Sequence, residues 1–279
     1  RAERHSRADT VRGTVRTTLR GGESAMKALI FAAGLGERMR PLTDTTPKPL
    51  LRVGGKPLIV WHLQKLAAIG IRDVVINTSW LAKQFPETLG DGADFGLHLE
   101  YTYEGQTPLE TGGGMWHALP LLGRERISEE PFIAINGDIW TDYDFANLPS
   151  DPKRDAHLVM IDNPAHNPRG DFTLLRDGHL LSGTPHPEEI AETGDAGSRL
   201  TFAGIGVYRP SLFDDWRRVI GDAPGARDKQ PRFKLAPLLR AALGPGAVTG
   251  QYRPGGWADV GTPERVATLD AKLRAAEQA

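Results

Sequence analysis

Residues 28–43 read ALIFAAGLGERMRPLT, and this stretch decides how the rest of the chain is read. Ala28–Ala33 is a short unbroken apolar run, the mark of a strand buried on both faces of a parallel sheet. It stops at Gly34 and Gly36, where the missing Cβ atoms let backbone N–H groups approach a phosphate closely. Arg38, Arg40 and then Lys48 add positive charge on the same side. A strand running into a glycine turn with cations behind it predicts a polyphosphate site. The plainer alternative is a tight strand–helix turn with solvated arginines.

Working outward, strands and helices alternate. Pro57–Ile69 opens on proline, has helical apolar spacing and stops at Gly70. Ile71–Asn77 reads as a strand, Trp80–Leu89 as a helix weakened by Pro86, and Leu97–Tyr103 as an alternating strand. Gly113–Leu122 follows as a short helix and Phe132–Asn136 as a buried strand. This alternation predicts an α/β domain with a largely parallel sheet. After about Asp155 strand-like pieces crowd together (His157–Ile161, Phe172–Leu175, His179–Leu181, Phe202–Tyr208), with a hairpin signal at Asp177-Gly178. Helices at Ser211–Ile220 and Phe233–Leu243, a strand at Ala247–Tyr252 and a helix from Pro263 complete the pattern. The expectation is one domain, 26–279, made of halves 26–155 and 156–279.

Composition narrows the function classes. The 279 residues include 34 Lys+Arg, 35 Asp+Glu and no cysteine. A net charge near zero gives no general drive toward nucleic acid or an anionic membrane, so neither is expected as a partner. The absence of cysteine excludes disulfides, thiolate zinc sites, iron–sulfur clusters and a cysteine nucleophile. It fits a reducing compartment, and a cytoplasmic location is expected. No apolar run approaches transmembrane length. Residues 1–25 stand apart, with six arginines, three acids and no apolar signal-peptide core. They read first as a disordered tail or the artefact of an upstream start, with an Arg-rich transit peptide as the lesser alternative, and with Met26 as the natural beginning.

Two familiar nucleotide motifs fail. A dinucleotide fingerprint needs a third glycine where Met39 stands and an acid about twenty residues on, and no Asp or Glu lies between Asp44 and Asp73. The Gly-Lys-Ser/Thr ending of a P-loop is absent. Two aspartates draw attention instead. Asp138, in Asn136-Gly137-Asp138, follows the strand FIAI, and ligands bind at the carboxyl ends of such strands. Asp259 stands in GWADVGT, residues 256–262. Taken singly, each reads equally well as a helix cap or a turn residue.

Gly34, Gly36, Arg38, Met39, Pro41 and Thr43, followed by Pro47-Lys48-Pro49, resemble the signature of the sugar-1-phosphate nucleotidyltransferases (NDP-sugar pyrophosphorylases). The Gly-Asp at 137–138 and the Trp-x-Asp-x-Gly-Thr at 257–262 match two further motifs of that family. The resemblance implies a Rossmann-like three-layer fold with a mixed, mostly parallel central sheet and a β-rich sugar-binding half. It implies that Ala33, Gly34, Leu35 and Gly36 wrap a nucleoside triphosphate. Arg38 would hold the leaving pyrophosphate, Lys48 would contact the phosphates around the transferred group, and Asp138 and Asp259 would ligate Mg²⁺. The loop PLETGGG (108–114) is the one that contacts the base in the family. Gly112 and Gly113 would bring backbone up to the ring, and Glu110 would accept a base N–H unless it only caps the helix.

The second half departs from the commoner members, which carry a Glu-Lys-Pro that is absent here. Asp162-Asn163-Pro164 and Asn167-Pro168-Arg169-Gly170-Asp171-Phe172 stand in its place. Together with LETGGG and RFKLAPLL, these segments most resemble the N-acetylmuramate-1-phosphate uridylyltransferases of peptidoglycan recycling. The expected reaction is nucleotidyl transfer from UTP to that sugar 1-phosphate. Mannose-1-phosphate guanylyltransferase, phosphocholine cytidylyltransferase and an inactive NDP-sugar-binding subunit are the alternatives. The lactyl carboxylate and phosphate of the muramate ester call for at least two cationic contacts. Arg169, Arg232, Lys234 and His166 are candidates, Lys234 foremost because it stands alone in an apolar run. Asn77, Asp171 and Gly206 complete the expected sugar-phosphate set, with Gly204 and Trp80 beside them. Oligomeric state leaves no signal.

Overall fold

A computed structural model describes residues 26–124, 130–222, 224 and 230–277. The tail expected at 1–25 lies outside the described residues. The strands are β1 (Ala28–Phe31), β2 (Arg52–Val53), β3 (Lys56–Pro57), β4 (Asp73–Thr78), β5 (His98–Tyr103), β6 (Phe132–Asn136), β7 (Ile139–Thr141), β8 (Ala156–Ile161), β9 (Phe172–Leu174), β10 (Leu180–Leu181), β11 (Ser198–Tyr208), β12 (Val248–Tyr252) and β13 (Trp257–Asp259). The helices are α1 (Leu42–Thr45), α2 (Leu58–Ala68), α3 (Gln84–Leu89), α4 (Glu110–Leu119), α5 (Pro187–Thr193), α6 (Trp216–Ile220), α7 (Ala236–Leu243) and α8 (Pro263–Glu277).

A nine-stranded sheet runs through both halves of the chain in the order β10-β9-β11-β6-β1-β4-β5, with β8 alongside β11 and β12 alongside β8. Strands β6, β1, β4 and β5 are mutually parallel. Only β10 and β11 run against the others, so the sheet is mixed and mostly parallel, as the resemblance implied. Residues alternate across it: Ala28 and Ile30 of β1 face a core shared with Leu63 and Leu66 of α2 and Phe85 of α3. Leu29 faces the other way, toward Met115 and Leu119 of α4, Trp216 of α6 and Leu238 of α7. That period-two pattern, buried on both faces, makes three layers. A smaller cluster of Met39, Val53, Leu58, Trp140, Val260, Leu269 and Leu273 docks α8 beside the β7–β13 ribbon.

Several boundaries differ from expectation for physical reasons. The helix expected over 80–89 begins at Gln84, after Leu81 adopts φ 52°. Pro86 then sits in the first turn, where its missing N–H costs nothing. The helix expected from Gly113 begins at Glu110, so Gly112, Gly113 and Gly114 are helical despite poor propensity. Phe233–Leu235 stays outside α7 because Phe233 bonds Leu109 O and Gly113 N across the segment. The helix expected over 211–220 divides into a 3₁₀ turn at Pro210–Phe213 and α6. Strand β11 is longer than read from the sequence, since Gly204 at φ 77° provides the irregularity through which it changes partners.

Candidate active site

The carboxyl ends of β1, β4 and β6 open on one side of the sheet, and the sequence motifs gather there. The loop after β1 is pinned from below. Ala32 N–H donates to Asn77 Oδ1 at 2.7 Å, and Asn77 Nδ2 donates to Glu104 Oε1 at 2.5 Å. Leu109 N–H donates to Glu104 Oε2 at 2.7 Å. One buried carboxylate thus joins the glycine loop to the start of α4. Burial pushes the Glu104 carboxyl up, with the Leu109 N–H and Asn77 amide pulling the other way. Gly36 turns the chain at φ 67°, and a Cβ there would lie 2.7 Å from Thr43 Cγ2. Thr43 Oγ1 donates to Gly36 O at 2.7 Å, and Trp80 Nε1 donates to Thr43 O. Gly34, in contrast, has nothing within 4 Å of its would-be Cβ.

Lys48 is the centre of the charged group. Its Nζ donates to Asp138 Oδ2 at 2.8 Å and lies 3.9 Å from Asp259 Oδ1, with the side chain only 10% exposed. Asp138 is placed by a turn immediately after β6. Gly137 N–H donates to Phe31 O, and a Cβ on Gly137 would lie 2.5 Å from that oxygen. Asp259 arrives on β13, paired with β7 so that it stands opposite Ile139, and Val260 N–H donates to Asp138 O. Its second oxygen, Oδ2, accepts from Arg265 Nη1 at 2.8 Å and lies 3.7 Å from His166 Nε2. The His166 ring stacks on Trp257, centroids 6.2 Å apart.

A cleft of about 350 Å³ runs from the glycine loop to Lys48 and Asp138; Gly34, Leu35, Asn77 and Glu104 are among the other residues lining it. Glu110 also lines it and holds φ 65°, an uncommon conformation for a residue other than glycine. Its carboxylate faces Arg232 Nη2 at 3.4 Å. A larger cleft of about 1060 Å³ lies on the other side of Leu35, against Trp80 and Tyr103. It contains neither Lys48 nor Asp138, both of which line the smaller one.

The remaining expected residues fall in separate places. Ala33 lines the cleft, and Arg38 is exposed with no bonding partner among the described residues. Gly112 and Gly113 face protein: added Cβ atoms would meet the Phe233 ring at 2.5 Å and Pro231 O at 2.2 Å. Packing of the 231–235 segment therefore accounts for glycine at both. Asn77 has its amide oxygen and nitrogen engaged beneath the glycine loop. Asp171 spends its carboxylate on Asn167 Nδ2 and Phe202 N–H, which moor the 163–171 loop to β11. Gly206 lies inside β11, where a Cβ would strike His157 O and the Tyr208 ring. Lys234 and Arg169 are exposed. Sequence reading missed Glu104 and Arg265. Each is a lone charged residue outside the matched motifs, and only the fold reveals its partner.

A family model described as nucleotidyl transferase matches residues 27–276. An N-acetylmuramate alpha-1-phosphate uridylyltransferase of Neisseria meningitidis serogroup B is 46% identical over 88% of this chain and 97% of its own length. A protein of the same description from Caulobacter vibrioides is 32% identical over 88% of this chain and 96% of its own length. Among solved structures, a putative glucose-1-phosphate thymidylyltransferase from Bacillus anthracis superposes with a TM-score of 0.68 over 90% of this chain and 96% of its own, at 23% identity. At that identity the likeness speaks for the fold alone.

Proposed function

From the premise that this chain belongs to the nucleotidyl transferase family and is a nucleotidyltransferase, we propose that it transfers a uridylyl group from UTP to N-acetylmuramate 1-phosphate, releasing pyrophosphate. The choice of substrates is supported by the 46% identity to the Neisseria enzyme over nearly the whole of both chains. The observation that carries the chemistry is Lys48 Nζ held between Asp138 and Asp259 at the mouth of the glycine-loop cleft.

The donor set fits Mg²⁺. Its hard oxygen ligands are usually one or two carboxylates completed by substrate phosphate oxygens. Among the described residues no group of three or more metal-type side chains stands ready to hold an ion, so the protein itself would supply the two carboxylates. Asp138 and Asp259 would hold the ion, and when bound it would neutralise charge on the reacting phosphate oxygens.

The sugar-phosphate oxygen forms a bond to the α-phosphorus of the triphosphate. The bond from that phosphorus to the bridging oxygen breaks, and pyrophosphate leaves with the electron pair. The attacking phosphate is already ionised at neutral pH, so no protein base or nucleophile is needed. Catalysis then consists of positioning and charge stabilisation. Gly34 leaves room for the phosphates beside backbone N–H groups. Lys48 is buried and aimed at the reacting region, and Arg38, unpaired among the described residues, suits the departing pyrophosphate. Glu110, fixed at the cleft wall, is suited to accept the N3–H of uracil. Residues 26–155 would carry the nucleotide and 156–279 the sugar phosphate, with Lys234 and Arg169 available to the lactyl carboxylate. The proposed setting is the cytoplasm, during peptidoglycan recycling, where nucleoside triphosphates are at hand. No helix among the described residues is long and apolar enough to cross a membrane.

A pyrophosphate-release assay with Mg²⁺ tests the reading. It crosses UTP, GTP, dTTP and CTP with N-acetylmuramate 1-phosphate, mannose 1-phosphate, glucose 1-phosphate and phosphocholine. Release confined to UTP with the muramate ester is expected. Release with GTP and mannose 1-phosphate would replace the substrate assignment.

A further inference from the structure

Helix α8 begins at Pro263, just behind Asp259, and carries Arg265 in its first turn. The amino end of a helix bears partial positive charge and disfavours a cation there. The chain nevertheless places a guanidinium at that end and folds it back onto Asp259 Oδ2 at 2.8 Å. Gly261 keeps the space the pair occupies: a Cβ there would lie 3.0 Å from Asp259 Oδ2 and 3.1 Å from Arg265 Nη1. The two oxygens of Asp259 are thereby divided. Oδ2 faces Arg265, with His166 at 3.7 Å, and Oδ1 faces Lys48 and Asp138.

We propose that Arg265 is a positioning residue for the divalent-cation site: by engaging Oδ2 it presents Oδ1 alone to the ion, beside Asp138. Without it the Asp259 carboxylate is free to turn and close on Lys48 through both oxygens, which tightens the hold on an ammonium that already lies between the two aspartates and that the ion must displace. Partners of this kind, bonded to a ligand rather than to the ion, set ligand orientation and metal affinity. The inference rests on the assignment of Asp138 and Asp259 as ion ligands.

The direct test titrates the protein with Mn²⁺ alone, following the free-ion signal by electron paramagnetic resonance. Arg265→Gln is expected to raise the Mn²⁺ dissociation constant by about 10- to 100-fold. The Mg²⁺ concentration for half-maximal turnover should rise in parallel, with kcat at saturating Mg²⁺ nearly unchanged. Arg265→Lys should recover most of the affinity, and it carries the test if the glutamine variant does not fold. A lowered unfolding temperature with unchanged Mn²⁺ affinity would overturn the proposal. Asp259→Asn separates the two failures. If it loses Mn²⁺ while Arg265→Gln does not, only the role of Arg265 falls. If it too binds normally, the ion assignment falls.

Discussion

Lys48 Nζ lies 2.8 Å from Asp138 Oδ2, although the two residues are 90 positions apart in sequence. The pair joins the segment behind the glycine loop to the end of β6, and Asp259 faces it from β13. Lys48→Met leaves two carboxylates facing each other with no ammonium between them. Removing one partner of a fully buried pair costs about 3–5 kcal/mol, and less is expected here because Asp138 is 39% exposed. Urea unfolding should show a smaller loss, of order 1–2 kcal/mol. Turnover should fall by about 100-fold or more, as for loss of a main electrostatic stabiliser.

Asp138→Asn and Asp259→Asn keep size and shape but remove the negative charge. Each should lower Mg²⁺-dependent turnover by about 100-fold or more, with an unchanged near-ultraviolet circular dichroism spectrum. Full activity in both would remove the carboxylates from the mechanism.

The two glycines of the first loop should respond differently to alanine. At Gly34 the added methyl meets no protein atom, so stability should change by no more than about 0.5 kcal/mol while KM for the triphosphate rises. At Gly36 the left-handed backbone and the contact with Thr43 should cost about 1–3 kcal/mol. Paired thermal melts and KM measurements distinguish the cases.

His62 is buried, its Nε2–H donating to Ile139 O and its Nδ1 without a partner. Burial lowers its pKa from 6.5 to about 4, against the opposing pull of the Ile139 carbonyl. The unfolded chain therefore binds more protons than the folded one between those values. Stability from this group is full above about 6.5 and declines as the pH falls to about 4, by at most about 3 kcal/mol. Glu104, whose carboxyl is raised, opposes this, since its protonation favours the folded state as the pH drops. Urea midpoints at pH 7 and pH 5 should differ less in His62→Gln than in the parent protein.

Lys234 is exposed and so is not required for packing. Lys234→Ala should raise KM for N-acetylmuramate 1-phosphate about tenfold, the scale of one charge-assisted hydrogen bond, while KM for UTP holds. An equal change in both constants would place Lys234 outside the sugar subsite.

The layered architecture was legible because it rests on local periodicity. Ala28–Phe31 and Phe132–Asn136 are apolar throughout, and strands of that kind are central in an α/β sheet. The glycine turn, Lys48 and both aspartates were legible as motifs. The β7 and β13 strands were not, since three residues each give no period and their paired residues, from Thr141↔Trp257 to Ile139↔Asp259, lie more than a hundred positions apart in sequence. Nor was the reason for Gly112 and Gly113, which lies in a segment more than a hundred residues away. Glu104 and Asp171 show the same limit: what a carboxylate bonds is a property of the folded chain.

The ribbon of β7 and β13 has a consequence for the order in which the charged group around Lys48 is assembled. The glycine loop, Lys48 and Asp138 leave the ribosome long before Trp257–Asp259, and until then Lys48 has Asp138 as its only carboxylate neighbour. A nascent chain, or a product cut short of residue 257, holds half of the paired charge and lacks the strand that closes over β7. The pair of carboxylates around Lys48 is thus completed only when residues 257–259 have been made and β13 has paired with β7.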